Sequence, residues 1–348
     1  MSNTGIPRSS NPIMQSRLDR NPAGIYYYSR KRKRLKQVLT GMLSLLLIFS
    51  LCFLGFLFVP FQPFEKLREL WVTSAMTTMS HQYLATYLFS EAEIKKIMDN
   101  DKATDLGNSD PSNIKMLGTS KNTGSELIDI SQKGFKGYLL KIKDPGRVKV
   151  AATRYLGKIG EKAEDIAKEN GASAVINGGV FDDPKGNGNG GQPLGILISG
   201  GHILYKDPIH TFDIIGLNKD NVLVLGHYTL DQIKQMGIRD AVTFSPFLVV
   251  DGKPAITHGD GGWGIAPRTA IGQTRDGSIL MLVIDGRQIG SLGATLKDVQ
   301  DVMLEYGAYN VANLDGGASS VLYYNGKIVN HPSSQYGERY APSFFIVK

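Results

Sequence analysis

The stretch Tyr309-Asn310-Val311-Ala312-Asn313-Leu314-Asp315-Gly316-Gly317-Ala318-Ser319-Ser320 decides how the rest of the chain is read. It opens as a β-strand and ends in an acid, two glycines, a small residue and two hydroxyls. A packed strand of this kind delivers Asp315 to a rim, and the glycines let the backbone turn and approach a ligand closely. Rigid strands that carry chemistry on their loops have this form. Taken alone, the stretch is equally a tight turn whose Asp bonds its own backbone.

Two other strands end the same way. Ala172–Ile176 runs into Asn177-Gly178-Gly179, and Ser278–Ile284 into Asp285-Gly286-Arg287. If the three share a sheet and a direction, their carboxyl ends meet on one rim, where α/β sheets hold ligands. Two further segments add cations to the acids, Pro267-Arg268-Thr269-Ala270-Ile271-Gly272 and Gly337-Glu338-Arg339. No one of these segments is specific, but turn formation alone does not explain all five.

Around this region the texture is that of an α+β domain over 125–348, a mixed sheet with flanking helices. Strands are expected at Tyr138–Ile142, Val148–Ala152, Leu194–Ile198, Val222–Leu225, Thr243–Val250 and Ser343–Val347. Helices are expected at Gly160–Asn170, ended by Gly171, and at Thr295–Tyr306, with Thr295 and Asp298 as cap and Gly307 as stop. Val321–Tyr324 and Lys327–Val329 flank Asn325-Gly326, a type I′ hairpin signal. Residues 183–193 and 257–264 are glycine-rich loops.

The remainder of the chain is different. Of the net charge of +7, residues 1–36 supply nine Lys/Arg against one acid, Asp19, which leaves the body close to neutral. The body therefore offers no basic excess for nucleic acid. Residues 1–29 read as a disordered arm and Arg30 to Lys36 as a basic cluster. Val38 to Val59 then runs 22 residues without a charge. At about 1.5 Å per residue that is about 33 Å, enough to cross a bilayer. A signal peptide is the other reading, but the preceding arm is long and no small-residue cleavage site follows. Segment 37–60 is thus expected to be a single membrane-spanning helix, with the basic arm 1–36 cytoplasmic and everything after Pro60 outside. Residues 61–124 read as a helical stalk and linker, with Ser90 and Glu93 forming a capping box and Phe89 and Ile94 at the staple positions. The single cysteine, Cys52, excludes an intrachain disulfide.

The segments NGGVF (177–181), PRTAIG (267–272), VIDGR (283–287), GSLGATLKDV (290–299), NLDGGASS (313–320) and NHPSSQYGER (330–339) occur in an order that resembles the phosphodiester glycosidase domain. One departure is Ala318, where that family carries a third glycine. The resemblance implies hydrolysis of the bond between a sugar's anomeric carbon and a phosphodiester. Phosphate is a good leaving group, so such a site needs a cation on the phosphate and a carboxylate near the anomeric centre. The carboxylate candidates are Asp315 and Asp285, with Glu338 third. Arg268 is the first choice for the phosphate, because a guanidinium fork binds two oxygens at once, with Arg287 and Arg339 second. Asn177, Gly178, Gly179, Thr269, Gly316, Gly317 and Ser319 complete the expected substrate contacts. No cofactor is required, although aspartates and carbonyls would also suit a hard divalent cation. The six histidines show no ligand spacing. The substrate is expected to be a sugar phosphodiester of an envelope or exported polysaccharide. The alternatives are a non-catalytic glycan-binding or exopolysaccharide assembly protein, and a phosphodiesterase that breaks P–O.

Overall fold

The computed structural model describes residues 22–78, 81–116, 124–184, 188–334 and 337–348, with side chains from residue 32 onward. The arm expected over 1–29 lies outside the described residues as far as residue 21. The chain divides into two compact units, Met1–Glu65 and Lys66–Lys348.

In the first unit, helix α1 spans Pro22–Phe58. It begins ahead of the expected boundary: once nucleated by a long apolar run, a helix propagates cheaply into a neighbouring basic segment. Its apolar side chains from Leu35 to Leu54 are largely exposed, and residues 32–58 are long and apolar enough to cross a bilayer. Length and composition alone do not separate an anchor from a signal sequence near an N-terminus.

The second unit packs three antiparallel sheets around one shared core. The largest has, in spatial order, Ser125–Asp129 (β1), Gly137–Ile142 (β2), Ile279–Ile284 (β13), Arg268–Thr274 (β12), Ala308–Asn313 (β14), Phe247–Val250 (β10) and Lys253–Pro254 (β11). The second has Lys327–Ile328 (β16), Leu322–Tyr324 (β15), Ala174–Asn177 (β4), Ser343–Val347 (β17) and Val148–Ala152 (β3). The third has His202–Lys206 (β6), Ile196–Ser199 (β5), Ile238–Thr243 (β9), Thr211–Asn218 (β7) and Leu223–Thr229 (β8).

Strands β12 and β13 are buried along their whole lengths, which is why they read as continuous apolar runs rather than alternations. One face of their sheet meets Ile176 and Phe345 of the second sheet and Leu217, Leu225 and Val242 of the third. The opposite face is covered by helix α7, Leu296–Glu305, through Leu296, Val299 and Met303. The other two sheets are covered on their outer faces in the same way. Helix α5, Ala163–Asn170, lays Ile166 and Ala167 on the second sheet, and helix α6, Leu230–Gln235, lays Ile233 on the third.

Local signals are realised where they stand alone. Thr295 and Asp298 form a capping box on α7, and Gly307 follows with φ +81°. Gly171 ends α5 in the left-handed region. Asn325 and Gly326, at φ +47° and +91°, turn the hairpin between Tyr324 and Lys327. The strand expected over Thr243–Val250 is instead two strands, β9 and β10, separated at Ser245-Pro246, since proline cannot donate to a ladder.

Ahead of the sheets lie α2 (Gln62–Met76), α3 (Tyr83–Thr86) and α4 (Glu91–Asn100), the last with the Ser90–Glu93 box and with Phe89 and Ile94 buried. The polar segment that follows lies along the body. Thr104 N–H donates to Ala255, Ser109 N–H to Leu225 and Lys115 N–H to Arg275. Asn, Ser and Gly composition marks turns, yet backbone donors can still be bound to a neighbouring sheet edge.

Candidate active site

Strand directions bring the expected segments together. β12 runs antiparallel to both β13 and β14, with Arg268 opposite Ile284 and Ala270 opposite Asn313. The carboxyl ends of β13 and β14 therefore lie at the same rim as the start of β12. β4 belongs to a different sheet, so it does not share theirs, but its end reaches the same rim. Asn177 carries that crossing. Its Oδ1 accepts from Thr269 Oγ1 at 2.8 Å and from Val321 N–H at 3.1 Å, and its Nδ2 donates to the Asp315 carbonyl. Asn177 is buried and fully engaged, which makes it the joint of the rim.

The glycines are set by close approach. A Cβ on Gly178 would come within 2.9 Å of the Ser343 backbone, and one on Gly179 within 2.6 Å of the Thr243 carbonyl. Gly316 lies against the Pro267 carbonyl, which accepts from Gly317 N–H at 2.9 Å. Gly317 sits at φ +61°, whereas Ala318 is not among the residues with positive φ. The third position of the loop therefore accepts a methyl group without backbone strain.

Asp315 stands half-buried at this loop. Burial pushes its carboxyl up to about 6, opposed by a hydrogen bond from Ser319 and by the charge of Arg339, while Asp183 adds to the rise. Arg339 donates to Asp183 Oδ1 at 2.5 Å and to the Gly188 carbonyl at 3.4 Å, and lies over the Phe181 ring. Asp183 lies at the start of the glycine-rich loop 183–193, where composition alone does not mark it as a site residue. The acid two residues after NGGVF was the available signal.

The arginines have distinct placements. The guanidinium of Arg268, 3 % exposed, donates to the carbonyls of Ala294, Trp263 and Gly264 at 3.0, 2.8 and 2.6 Å. It lies on the α7 face of the sheet, and burial lowers it to about 10. Its Nε and Nη2 donors are thus bound to backbone. Arg287 is exposed and takes a left-handed backbone at φ +59°. Its guanidinium lies 3.4–3.7 Å from the Cβ position of Gly317 and makes no hydrogen bond among the described residues. Burial by neighbouring atoms lowers it, and no acid counters that shift.

The remaining carboxylates are engaged as well. Asp285 is 3 % exposed. Its Oδ1 accepts from Asn330 Nδ2 at 3.0 Å and from His331 N–H at 2.8 Å, and burial raises its carboxyl against both bonds. Glu338 Oε2 accepts from Glu164 N–H at 3.2 Å, at the start of α5, where Lys162 supplies no side-chain cap. Burial raises Glu338, and the amides of that first turn oppose the rise. Among the described residues, no group of three or more His, Cys, Asp or Glu is arranged to hold a metal ion.

Residues 170–348 match the family model described as phosphodiester glycosidase. Over 158 residues the chain is 32% identical to the SPbeta prophage-derived uncharacterized protein YomE of Bacillus subtilis (strain 168), covering 41% of this chain and 24% of that protein. It is 26% identical over 194 residues to N-acetylglucosamine-1-phosphodiester alpha-N-acetylglucosaminidase of Bos taurus, covering 49% of this chain and 34% of that enzyme. The chain thus spans about a quarter to a third of the length of these curated relatives. The zebrafish N-acetylglucosamine-1-phosphodiester alpha-N-acetylglucosaminidase catalytic domain, auto-inhibited by its pro-peptide, superimposes with a TM-score of 0.56 at 22% identity, covering 67% of this chain and 86% of that one. That likeness is one of fold.

Proposed function

The chain belongs to the phosphodiester glycosidase family, and from that premise we propose that it hydrolyses the C1–O bond of glycosyl phosphodiesters. The observation that carries the reading is Asp315: a half-buried residue at the glycine turn of the rim, its carboxyl raised to about 6 in the field of Arg339 and Asp183. A carboxylate near the anomeric centre must be ionised at working pH yet poised to exchange a proton, and a group at about 6 meets both demands. Asp315 is the catalytic carboxylate in this reading. Arg287 receives the phosphate, since its guanidinium lies against Gly317 and spends no donor on a described residue. Arg339 is held on Phe181 and Asp183, from where it steadies the charge of Asp315. Ser319 orients the Asp315 carboxylate.

Asp285 and Glu338 act as positioning groups. The first fixes the turn at Asn330-His331, and the second caps α5. Arg268 braces the 263–264 loop against the start of α7. Helix α1 serves as a membrane anchor, with its basic flank in the cytoplasm and the sheets outside. The substrate is then a sugar phosphodiester of an envelope or exported polymer.

The test uses the full chain in detergent and a panel of sugar-1-phosphodiesters in ¹⁸O-labelled water. Free sugar carrying the label at C1 is expected. Label in the phosphate would assign P–O cleavage instead, and no sugar release across the panel would remove the proposal.

A further inference from the structure

Helix α4 ends at Asp101, whose N–H donates to the Ile97 carbonyl. The residue is 5 % exposed, and its Oδ2 is sealed from solvent without a hydrogen-bond partner. Among the described residues no lysine, arginine or histidine nitrogen lies within ion-pair distance of this carboxylate. A buried carboxylate is costly unless a cation or a proton neutralises it.

The side chain points at the glycine-rich loop 257–264. A Cβ on Gly259 would stand 2.8 Å from Asp101 Cγ and closer still to Oδ1, so only glycine leaves room there for the carboxylate. Lys102 and Gly261 form a parallel bridge that holds the two segments side by side. The loop brings a second buried carboxylate, Asp260. Its Oδ2 accepts from Thr73 Oγ1 and its Oδ1 from Gly262 N–H, both at 2.6 Å, and each oxygen keeps a lone pair beyond that bond.

The charges around the pair leave it negative. Burial pushes the Asp101 carboxyl up to about 6, Asp260 and Glu69 add to the rise, and His258 opposes it. The His258 Nε2 is turned to the Asn100 carbonyl, 3.1 Å away. Arg268 feels the charge of Asp260, but its Nε and Nη2 donate to the Ala294, Trp263 and Gly264 carbonyls. The carbonyl end of α4 adds further negative potential at Asp101.

The donors offered here are all oxygens. Zinc takes nitrogen and sulfur from three or four side chains, whereas calcium accepts carboxylates, backbone carbonyls and water together. We propose that Asp101 and Asp260 bind one calcium ion, with backbone carbonyls and water completing its shell. The ion clasps the end of α4 to the loop whose Trp263 and Gly264 carbonyls hold Arg268. The site is separate from the reaction proposed above, and no step of that reaction passes through it. A proton on Asp101 is the competing neutraliser.

The full chain in detergent is stripped with EDTA, moved to calcium-free buffer at about pH 7.5, and titrated with calcium chloride. Calorimetry is expected to show one ion bound per chain through this site. About 10 mM calcium is tenfold to a hundredfold above the dissociation constants of about 0.1–1 mM usual in extracellular modules. It should raise the melting temperature by about 3–10 °C. Asp101→Asn keeps the shape and removes the charge. It is expected to melt above the native chain in EDTA and to gain less than about 1 °C from calcium. Terbium, bound in place of calcium and excited through tryptophan, should emit in the native chain, lose that emission to added calcium, and stay dark in Asp101→Asn. A native chain that calcium does not stabilise would overturn the proposal and leave the proton as the neutraliser. An equal calcium shift or terbium emission in Asp101→Asn would place the ion elsewhere and overturn it too.

Discussion

At the scale of single residues, Asp315 joins chemistry to stability. Its carboxyl rises from the ordinary 3.8 to about 6, with burial as the largest cause. Between those values the folded state holds more protons than the unfolded chain, so stability falls as pH rises through that window. At pH 7 the ionised carboxylate costs on the order of 2–3 kcal/mol relative to low pH. Asp315→Asn is therefore expected to lose turnover by at least about a thousandfold and to raise stability at pH 7, with little gain at pH 4. Denaturant titration at the two pH values checks this, and a variant equally stable at both would contradict the assigned environment. The same group predicts the acid limb of the rate profile. In the reaction proposed above, where the ionised Asp315 is the form that acts, kcat/KM should climb to a plateau with an apparent pKa near 6. Arg268 shows the limit of reading one residue from its neighbours in sequence. PRTAIG supplies an arginine at the right rim, but side chains alternate along a strand. Its guanidinium falls on the α7 face with Ala270, against three carbonyls. Arg287, from the left-handed turn after β13, lies beside Gly317 of the Asp315 loop instead.

At the scale of elements, the joints between strands and helices hold the site. Ala294, whose carbonyl accepts from Arg268, immediately precedes the Thr295 cap of α7. Thr295→Ala removes the Thr295 Oγ1 bonds from Asp298 N–H and to Asp298 Oδ2, leaves the bond from Thr295 N–H to Asp298 Oδ2, and should cost about 1 kcal/mol, measured by urea unfolding. A loss well under half of that would show that packing of Val299 and Met303 fixes the helix start without the cap. A second joint ties α2 to the glycine-rich loop that carries Trp263. Thr73 Oγ1 donates to buried Asp260 Oδ2 at 2.6 Å, and Asp260 Oδ1 accepts from Gly262 N–H. Thr73→Val keeps the shape and leaves that carboxylate without one of its two donors, for a cost of roughly 1–3 kcal/mol. Elements of this sort were legible in the sequence where their signals are local. The two capping boxes, the Gly171 stop and the Asn-Gly hairpin each need only four to six residues to declare themselves. Strand β7, with Gly216 in its middle and both faces buried, gave no alternation to read.

At the scale of the whole molecule, the sequence showed that three strand ends with polar tips belong together, but not how. The reason is that β4 lies in its own sheet, and Asn177 reaches the rim by spanning two layers. No periodicity reports which sheets face each other, since the shared core draws apolar side chains from all three. The same scale decides where the chain can be cut. Its compact units meet at Glu65 and Lys66, and the second retains α2 from Lys66 onward with the Thr73–Asp260 bond. Removing residues 1–60 should therefore shift the melting temperature of the remainder by less than about 3 °C, the response to under 1 kcal/mol in a domain of this size. It should also release the protein from carbonate-washed membranes, as expected if α1 is the anchor. Removing residues 1–116 takes away the Thr73 bond and the backbone pairings of Thr104, Ser109 and Lys115 with Ala255, Leu225 and Arg275. The carbonyls of buried Ala255 and Leu225 and the Asp260 carboxylate then each lose a donor, at about 1 kcal/mol or more each, so this shorter chain should melt more than about 8 °C lower. Equal melting temperatures for the two truncations would mean that 61–116 is a passive spacer. A large loss already in the first would mean that the anchor helix is part of the folding unit.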